Sequence, residues 1–497
     1  TTIADDVGAI ALDAFQGDID LKTPKVLIQP LREDIRENAG VIANNGGTMT
    51  VNGTLVNGSA IINRATVGRD GTLALGGTLD NQGAILNAGA ALRVKTGGEL
   101  RNRGLLLNRN KLLKSGELIV NGSLINEFIF LNSGGRTDIG GLLENRGLLK
   151  NEGVISVRRS GEAVNHGLRS NRTGTIQVEG RLTNGNRSEF LVARNDDGSA
   201  DFAGTVKLVT GAIAGWDEVG LDSFTDLEVD QLKDIANDQA LYLTRGGVTR
   251  VMGQLDNNSL FSNTRGSALD ISGEFDNNGI VFNRAGNLGI EAGGSFVNNR
   301  GFVNRSSLLT EGAVDIAGDF TNQLFFLNRG ASVRVNADGK LFNNGLIRNE
   351  STLLRAGGFS VDGLLNNDGL LFNRDGAISI GKDGQLLNRN FLRNRSDRGV
   401  ANSGATMQNA GALINEGFLF NDGDIRNSGI FGNAQITVTA GSINNTSVNR
   451  GIDNAGILMN VSAEVSFQPD YTGALAGLES VDGLASKILG DLLAAPG

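Results

Sequence analysis

The feature that most constrains this chain is a phrase in which two Asn stand six residues apart, written again and again at a regular interval. It reads NNGLIRNE at 343–350 and NNGIVFNR at 277–284, and it returns as NRGLLLNR (102–109), NQGAILNA (81–88) and NDGLLFNR (367–374). The first Asn of the phrase falls at Asn57, Asn81, Asn102, Asn126, Asn145, Asn165 and Asn184, and the series resumes at Asn257 and runs through Asn277, Asn298, Asn322, Asn343, Asn367, Asn388 and Asn409. The second Asn follows at Asn63, Asn87, Asn108, Asn132 and Asn151, then at Asn283, Asn304, Asn328, Asn349, Asn373 and Asn394. A fixed period of about 20–24 residues is the mark of a solenoid, in which each repeat is one coil stacked on the next.

The residues around each Asn fix the kind of solenoid. Two positions before the first Asn stands a bulky apolar residue, as in Leu100, Leu124, Phe275, Phe296 and Phe320. The same holds before the second, as in Leu106, Phe130, Phe302, Phe326 and Ile347. An offset of two places both residues on one face of a strand. Apolar residue and Asn are therefore expected to point inward together. A third short strand follows, as in VDI (314–316), VRV (333–335) and ISI (378–380). Three short strands per turn fit an all-β parallel β-helix of about 17 turns, a rod of roughly 80 Å at one strand spacing per turn. An α-solenoid would need helical spacing and far less Gly.

Asn is expected at strand corners, where it tolerates the left-handed conformation and bonds its own backbone. Piled on identical residues at roughly 4.8 Å, its amide can also bond the neighbours above and below. Two structural ladders follow, one through Asn277, Asn298, Asn322, Asn343, Asn367 and Asn388, the other through Asn283, Asn304, Asn328, Asn349, Asn373 and Asn394. The Gly two positions after the first Asn (Gly83, Gly104, Gly147, Gly279, Gly345, Gly369) is expected to supply a positive φ. The repeat also alternates. From the second Asn to the third strand takes five residues in one turn (Asn328 to Val333) and ten in the next (Asn349 to Phe359). The true unit is two turns of 45 residues, and the long loops RNKLLKSG, RSSLLTEG and ESTLLRAG should form a ridge recurring every second turn.

Five regions follow: an N-terminal cap over 1–40, a first solenoid block over 41–185, an insertion over 186–250, a second block over 251–460 and a cap or docking tail over 461–497. Within the insertion, Phe224, Leu227, Val229, Leu232 and Ile235 have helical spacing behind an Asp222 N-cap. The tail reads as a short amphipathic helix.

Composition narrows the function. The net charge of −9 and pI near 5.0 argue against a nucleic-acid binder. With no Cys, neither disulfides nor thiolate sites hold the fold. No run approaches the roughly 18 apolar residues of a membrane span. His166 is the only histidine, so a Ser–His triad or a His metal cluster is not expected, and the chain is read as a non-enzyme. No cofactor is expected. The phrases NRDGAISIGKDGQ and NDDGSADF carry Asp and Gly but lack the full calcium-loop ligand set.

Two surfaces remain as candidates for binding. The strand between the two Asn is apolar at its outward positions too: Leu105 and Leu107, Ile129 and Leu131, Ile280 and Phe282, Phe325 and Leu327, Leu370 and Phe372. A strand apolar on both sides is normally buried on both. This face is expected to meet another copy or to be covered by the insertion or tail. The second candidate is an Arg column directly after the second Asn, Arg284, Arg305, Arg329, Arg374 and Arg395, interrupted by Glu350. It either lines up against a polyanion such as an acidic polysaccharide or is a solvated row paired with nearby acids.

The wording GGTLDNQGAILNAG (76–89) and GGLLENRGLLKNEG (140–153) resembles the haemagglutinin-type repeats of bacterial exported adhesins such as filamentous haemagglutinin, over roughly 41–185 and 251–430. The resemblance implies a right-handed β-helix at the cell surface, serving adhesion or matrix building. The opening TTIADDVGAIALDAF lacks Met, which suits a mature exported product. The expectation is an extracellular structural or adhesive β-solenoid, a subunit of a bacterial surface filament or biofilm matrix that self-associates through its ends or its apolar face. The alternatives are a polysaccharide-acting β-helix enzyme and a phage tail-spike-like protein.

Overall fold

The computed structural model describes residues 41–185 and 240–439, apart from residues 112, 265, 308, 353 and 397–403, together with the strand segments Ile19–Leu21, Glu37–Asn38, Ser442–Asn445, Ile452–Asn454 and Ile457–Asn460. The helix expected at 222–238 and the helical tail lie outside these residues. The described residues form strands and turns and contain no helix.

The protein is an all-β parallel β-solenoid. Strands ending in the first Asn, such as Glu274–Asn277, form sheet I; those carrying the second Asn, such as Ile280–Arg284, form sheet II; the third strands, such as Ala313–Ile316, form sheet III. Among the described residues the three sheets have 18, 19 and 17 strands. Each strand pairs in parallel with its equivalents one turn below and above, like residue on like: Phe275 on Phe296 and Asn277 on Asn298. Burial alternates as the period of two requires. In Glu99–Asn102 the buried residues are Leu100 and Asn102.

The interior is apolar and continuous, and its character changes along the chain. In the earlier turns it is mostly aliphatic, with Leu79, Leu100, Leu124 and Leu143 stacked in sheet I. In the later turns a run of rings takes over. Tyr242 stacks on Phe261 at 4.5 Å between centroids, and contact continues through Phe275, Phe296, Phe302, Phe320 and Phe326 to Phe359. Edge-to-face and offset geometries recur along it, the arrangements that ring quadrupoles favour.

Both Asn ladders are present, with side chains turned inward. In sheet I, Asn298 Nδ2 donates to Asn322 Oδ1 at 2.7 Å, Asn322 to Asn343 at 2.7 Å and Asn343 to Asn367 at 2.6 Å. In sheet II, Asn283, Asn304, Asn328, Asn349, Asn373 and Asn394 are joined by bonds of 2.7–2.8 Å. Each amide has a second use. Asn322 Nδ2 also donates to the Leu346 carbonyl at 3.2 Å, and Asn283 Nδ2 to those of Gly286 and Ala313. The Asn thus satisfies main-chain groups at the corner, where the sheet pattern stops.

Three expectations are corrected. The ladder Asn do not adopt a left-handed backbone; among the described residues positive φ outside Gly occurs at Thr173, Ala285 and Asp375. Gly83, Gly104, Gly147, Gly279, Gly345 and Gly369 do not supply a positive φ either. They are small because successive corners lie almost in contact: a Cβ on Gly104 would come within 1.9 Å of the Gly83 carbonyl oxygen, and one on Gly369 within 2.1 Å of that of Gly345. Finally, Asn409 does not continue the first ladder. It ends a strand of sheet III, Thr406–Asn409, opposite Ile380, and Asn388 bonds instead to Asn415. Asn409 starts a further ladder of its own, donating to Asn427 at 2.6 Å.

The positive φ angles have another place and another cause. Gly46, Gly89, Ala285, Gly330 and Asp375 all follow a second Asn by two residues, with φ between 54° and 78°. Each donates its N–H to the turn above, to the carbonyl of Arg64, Arg109, Arg305, Glu350 or Arg395, at 2.8–2.9 Å. From that acceptor the chain leaves into a long loop, and at Gly46, Gly89 and Gly330 that loop packs straight onto the short corner: Thr66 on Gly46, Lys111 on Gly89, Thr352 on Gly330. Short corners thus carry the long loops, in keeping with the alternation of five- and ten-residue connections.

The two blocks are one solenoid. Asn184 Nδ2 donates to Asn257 Oδ1 at 2.7 Å, carrying the sheet I ladder past the insertion. Residues 241–250, assigned above to the insertion, already belong to the array: Leu241–Arg245 pairs with Leu168–Arg172, and Val248–Val251 with Thr175–Val178. The phrase is hidden there because Thr244 stands where the second Asn should be. At the other end, Ile19–Leu21 pairs with the strand Val41–Asn45, and Glu37–Asn38 with Thr54–Asn57, so strands begin within the expected cap.

Candidate functional site

The Arg column exists as geometry. Arg284, Arg305 and Arg329 lie in register, Glu350 follows, and then Arg374 and Arg395. Glu350, nearly buried, takes Arg329 Nε at 3.2 Å and Arg348 Nη2 at 2.7 Å. Arg284, Arg305, Arg374 and Arg395 also have interaction partners. In the earlier turns Arg64 bonds the Asn45 side chain. The row is a partnered one, with an acid inside it.

The outward apolar positions divide into two groups. Leu105, Leu107, Ile129, Leu131, Leu370 and Phe372 are half-buried. Ile280, Phe282, Phe325 and Leu327 are buried, at 2–6% exposure, and cluster with Val303. In these turns the outward face is withdrawn from water, while in the others it is half-buried. Side chains on this sheet alternate faces, so the outer row of these turns is withdrawn from water as fully as the inner one.

The exposed apolar residues lie elsewhere, at the tips of the long loops. Thr66–Arg69, Lys111–Lys114, Ser307–Thr310 and Thr352–Arg355 are each closed into a tight turn by main-chain hydrogen bonds of 2.7–3.3 Å. Ser307 Oγ and Thr352 Oγ1 reinforce two of them by accepting from the N–H of Thr310 and Arg355. An apolar side chain stands at the second position of the first turn, Val67, and at the third position of the other three, Leu113, Leu309 and Leu354, at 91%, 103%, 87% and 73% exposure. Within each pair the loops lie two turns apart, roughly 10 Å along the stack. The first pair is tied together, with Lys111 Nζ on the Ala65 carbonyl and Lys114 Nζ on the Asp70 carboxylate. The sequence located the ridge but not its apolar tips. The available signal was the Leu pair in a loop, where polar residues are the rule.

Sheet III carries an open depression of about 620 Å³ on its outer side, lined by Arg136, Asp138, Ser156, Arg158, Gln177 and Glu179 among others. Arg136 Nε and Arg158 Nη2 both donate to Asp138 Oδ2, at 2.9 and 2.8 Å, while Asp138 Oδ1 is buried without a partner. Burial works against the charge of Asp138, but the two guanidinium bonds outweigh it and hold the carboxyl below its ordinary range. His166 is a corner residue, its N–H bonded to the Asn145 carbonyl and its Nε2 at 3.7 Å from Glu144. Among the described residues no three Asp, Glu or His cluster as a metal site would require, and NDDGSADF lies outside them.

The fold defines a class, the parallel β-solenoids, and this is the architecture that the haemagglutinin-type resemblance implied. No protein-family model matches the chain, and no curated protein matches it. Among solved structures it is similar to a TibC-catalysed, hyper-glycosylated fragment of TibA, at 12% identity and a TM-score of 0.21, over 84% of this chain and 99% of that one. At that score the likeness bears on neither fold nor function. Among the described residues no helix is long and apolar enough to cross a membrane.

Proposed function

We propose that the protein is a structural or adhesive β-solenoid of a bacterial surface, a scaffold rather than an enzyme, which assembles with copies of itself along its loop ridge and needs no cofactor. The observation that carries this reading is the exposure of Val67 and Leu113 and of Leu309 and Leu354, two pairs held on hydrogen-bonded turns, the members of each pair two turns apart. A fully exposed Leu gains about 1.5–3 kcal/mol on burial, so a repeated one marks a surface that is covered in use. A second copy is the occupant that fits, because it presents tips at the same period and can meet them in register. Isologous pairing of this kind gives closed dimers, and head-to-tail contact gives fibres.

Light scattering over a concentration series, with negative-stain microscopy, tests the reading. The wild-type chain is expected to grow in mass with concentration and to form paired or filamentous particles. The triple variant Leu113→Ser, Leu309→Ser, Leu354→Ser should stay monomeric with an unchanged circular dichroism spectrum. Monomers at every concentration of the wild type would sink the proposal, as would equal association of the variant.

A further inference from the structure

The lumen-facing position two residues before the second Asn is apolar in turn after turn, as in Leu149 and Phe261. In one turn it is Arg169, and in the next it is Tyr242, aligned with it across the sheet. Arg169 is 1% exposed. Its guanidinium carbon lies 5.4 Å from the centroid of the Tyr242 ring, and its Nε and Nη2 are buried without a hydrogen-bond partner. No carboxylate among the described residues pairs with it. A guanidinium does not give up its proton, so this charge has to be answered in place. The ring face answers part of it. It leaves two donor nitrogens and a net positive charge inside an apolar column, where an unpaired ion is strongly unfavourable.

The same turn has a smaller inward neighbour. The inward position of its sheet I strand is Ala163, where the turns below and above carry Leu143 and Leu182. It also adjoins further unsatisfied polar atoms. Thr244 interrupts the sheet II ladder, leaving its own Oγ1 and the Oδ1 of Asn263 buried without partners. Tyr242 OH is occupied by Thr249 Oγ1 at 3.0 Å. We propose that Arg169 holds a small inorganic anion, chloride being the simplest, inside the solenoid beside the Tyr242 ring, on the side where Ala163 replaces the Leu of the adjacent turns. Water could accept from the two donors but would not answer the charge.

Bromide is the probe, because it replaces chloride and scatters anomalously. Hydrogen exchange of the full chain is followed over 168–172 and 241–251, with bromide varied at constant ionic strength against gluconate. Protection is expected to rise several-fold with bromide in the wild type, to lose that dependence in Arg169→Leu and to keep a weaker one in Arg169→Lys. A bromide-soaked crystal should show an anomalous peak within contact of the guanidinium, which tests the site even where a variant fails to fold. Protection independent of bromide in the wild type overturns the proposal. So does an equal dependence in Arg169→Leu, or a crystal with water alone at the site.

Discussion

At the residue scale, Asn322 acts as a donor to two acceptors and an acceptor for one. Asn322 accepts from Asn298, donates to Asn343 and also serves the Leu346 carbonyl. Asn322→Ala removes all three bonds in a site that water does not reach. The expected loss is roughly 2–4 kcal/mol, since each buried group left unpaired costs about 1–3; denaturant unfolding or hydrogen exchange in the adjoining strands measures it. Asn322→Asp should be worse, because it replaces a donor with a buried charge. The corner at Ala285 gives a prediction of the opposite sign. Ala285 has φ 54° and occupies the position that Gly holds at Gly46, Gly89 and Gly330. The left-handed backbone costs an L-residue about 1–2 kcal/mol, partly offset by the greater chain entropy that Gly loses. Ala285→Gly should therefore stabilise the protein by up to about 1 kcal/mol, seen as a higher denaturant midpoint with an unchanged slope.

At the scale of the element, a strand is specified by its inward pair and its outward face is free to vary. Sheet I shows this in Glu99–Asn102, where Leu100 and Asn102 are inward and Glu99 and Arg101 form an outward ion pair at 3.3 Å. That freedom lets sheet III build the Asp138 cluster. Asp138 is more acidic in the folded chain than its ordinary value of 3.8. A depressed carboxyl adds stability that is present above that value and fades as pH falls through the lower, folded one. Exchange protection of Arg136–Ile139 and Val154–Val157 should thus weaken in acid below about pH 4 more in the wild type than in Asp138→Asn. The variant should be the less protected of the two near neutrality, where two guanidinium groups have lost their counter-charge. An identical acid profile for both would remove the cluster from the account.

At the scale of the whole solenoid, each turn touches its neighbours and little else, so the array is close to one-dimensional and its function lies along its length. Much of this was legible in the sequence because a period of two and a period of about 22 leave marks no other fold makes. Leu100 and Asn102 declare one face; Asn283 and Asn304 declare the stack. Other features left ambiguous marks. Gly83 looks the same in a sequence whether it relieves a crowded corner or permits a positive φ. Thr244 erased the phrase and hid a turn. Phe282 and Leu105 are both outward and apolar, and nothing in the letters tells which of them is buried. The exposed Leu309 was lost for the same reason, since a loop Leu folds inward more often than it stands free. The account stands most directly on those tips. The chain has no Cys, so single Cys variants at Leu113, Leu309 and Leu354, alone and mixed in pairs, report contact through disulfide formation under mild oxidant. The account predicts rapid cross-linking of at least one ridge combination and none at Met252→Cys, an exposed position on another corner. Ridge cysteines that cross-link no faster than the one at Met252 would contradict it.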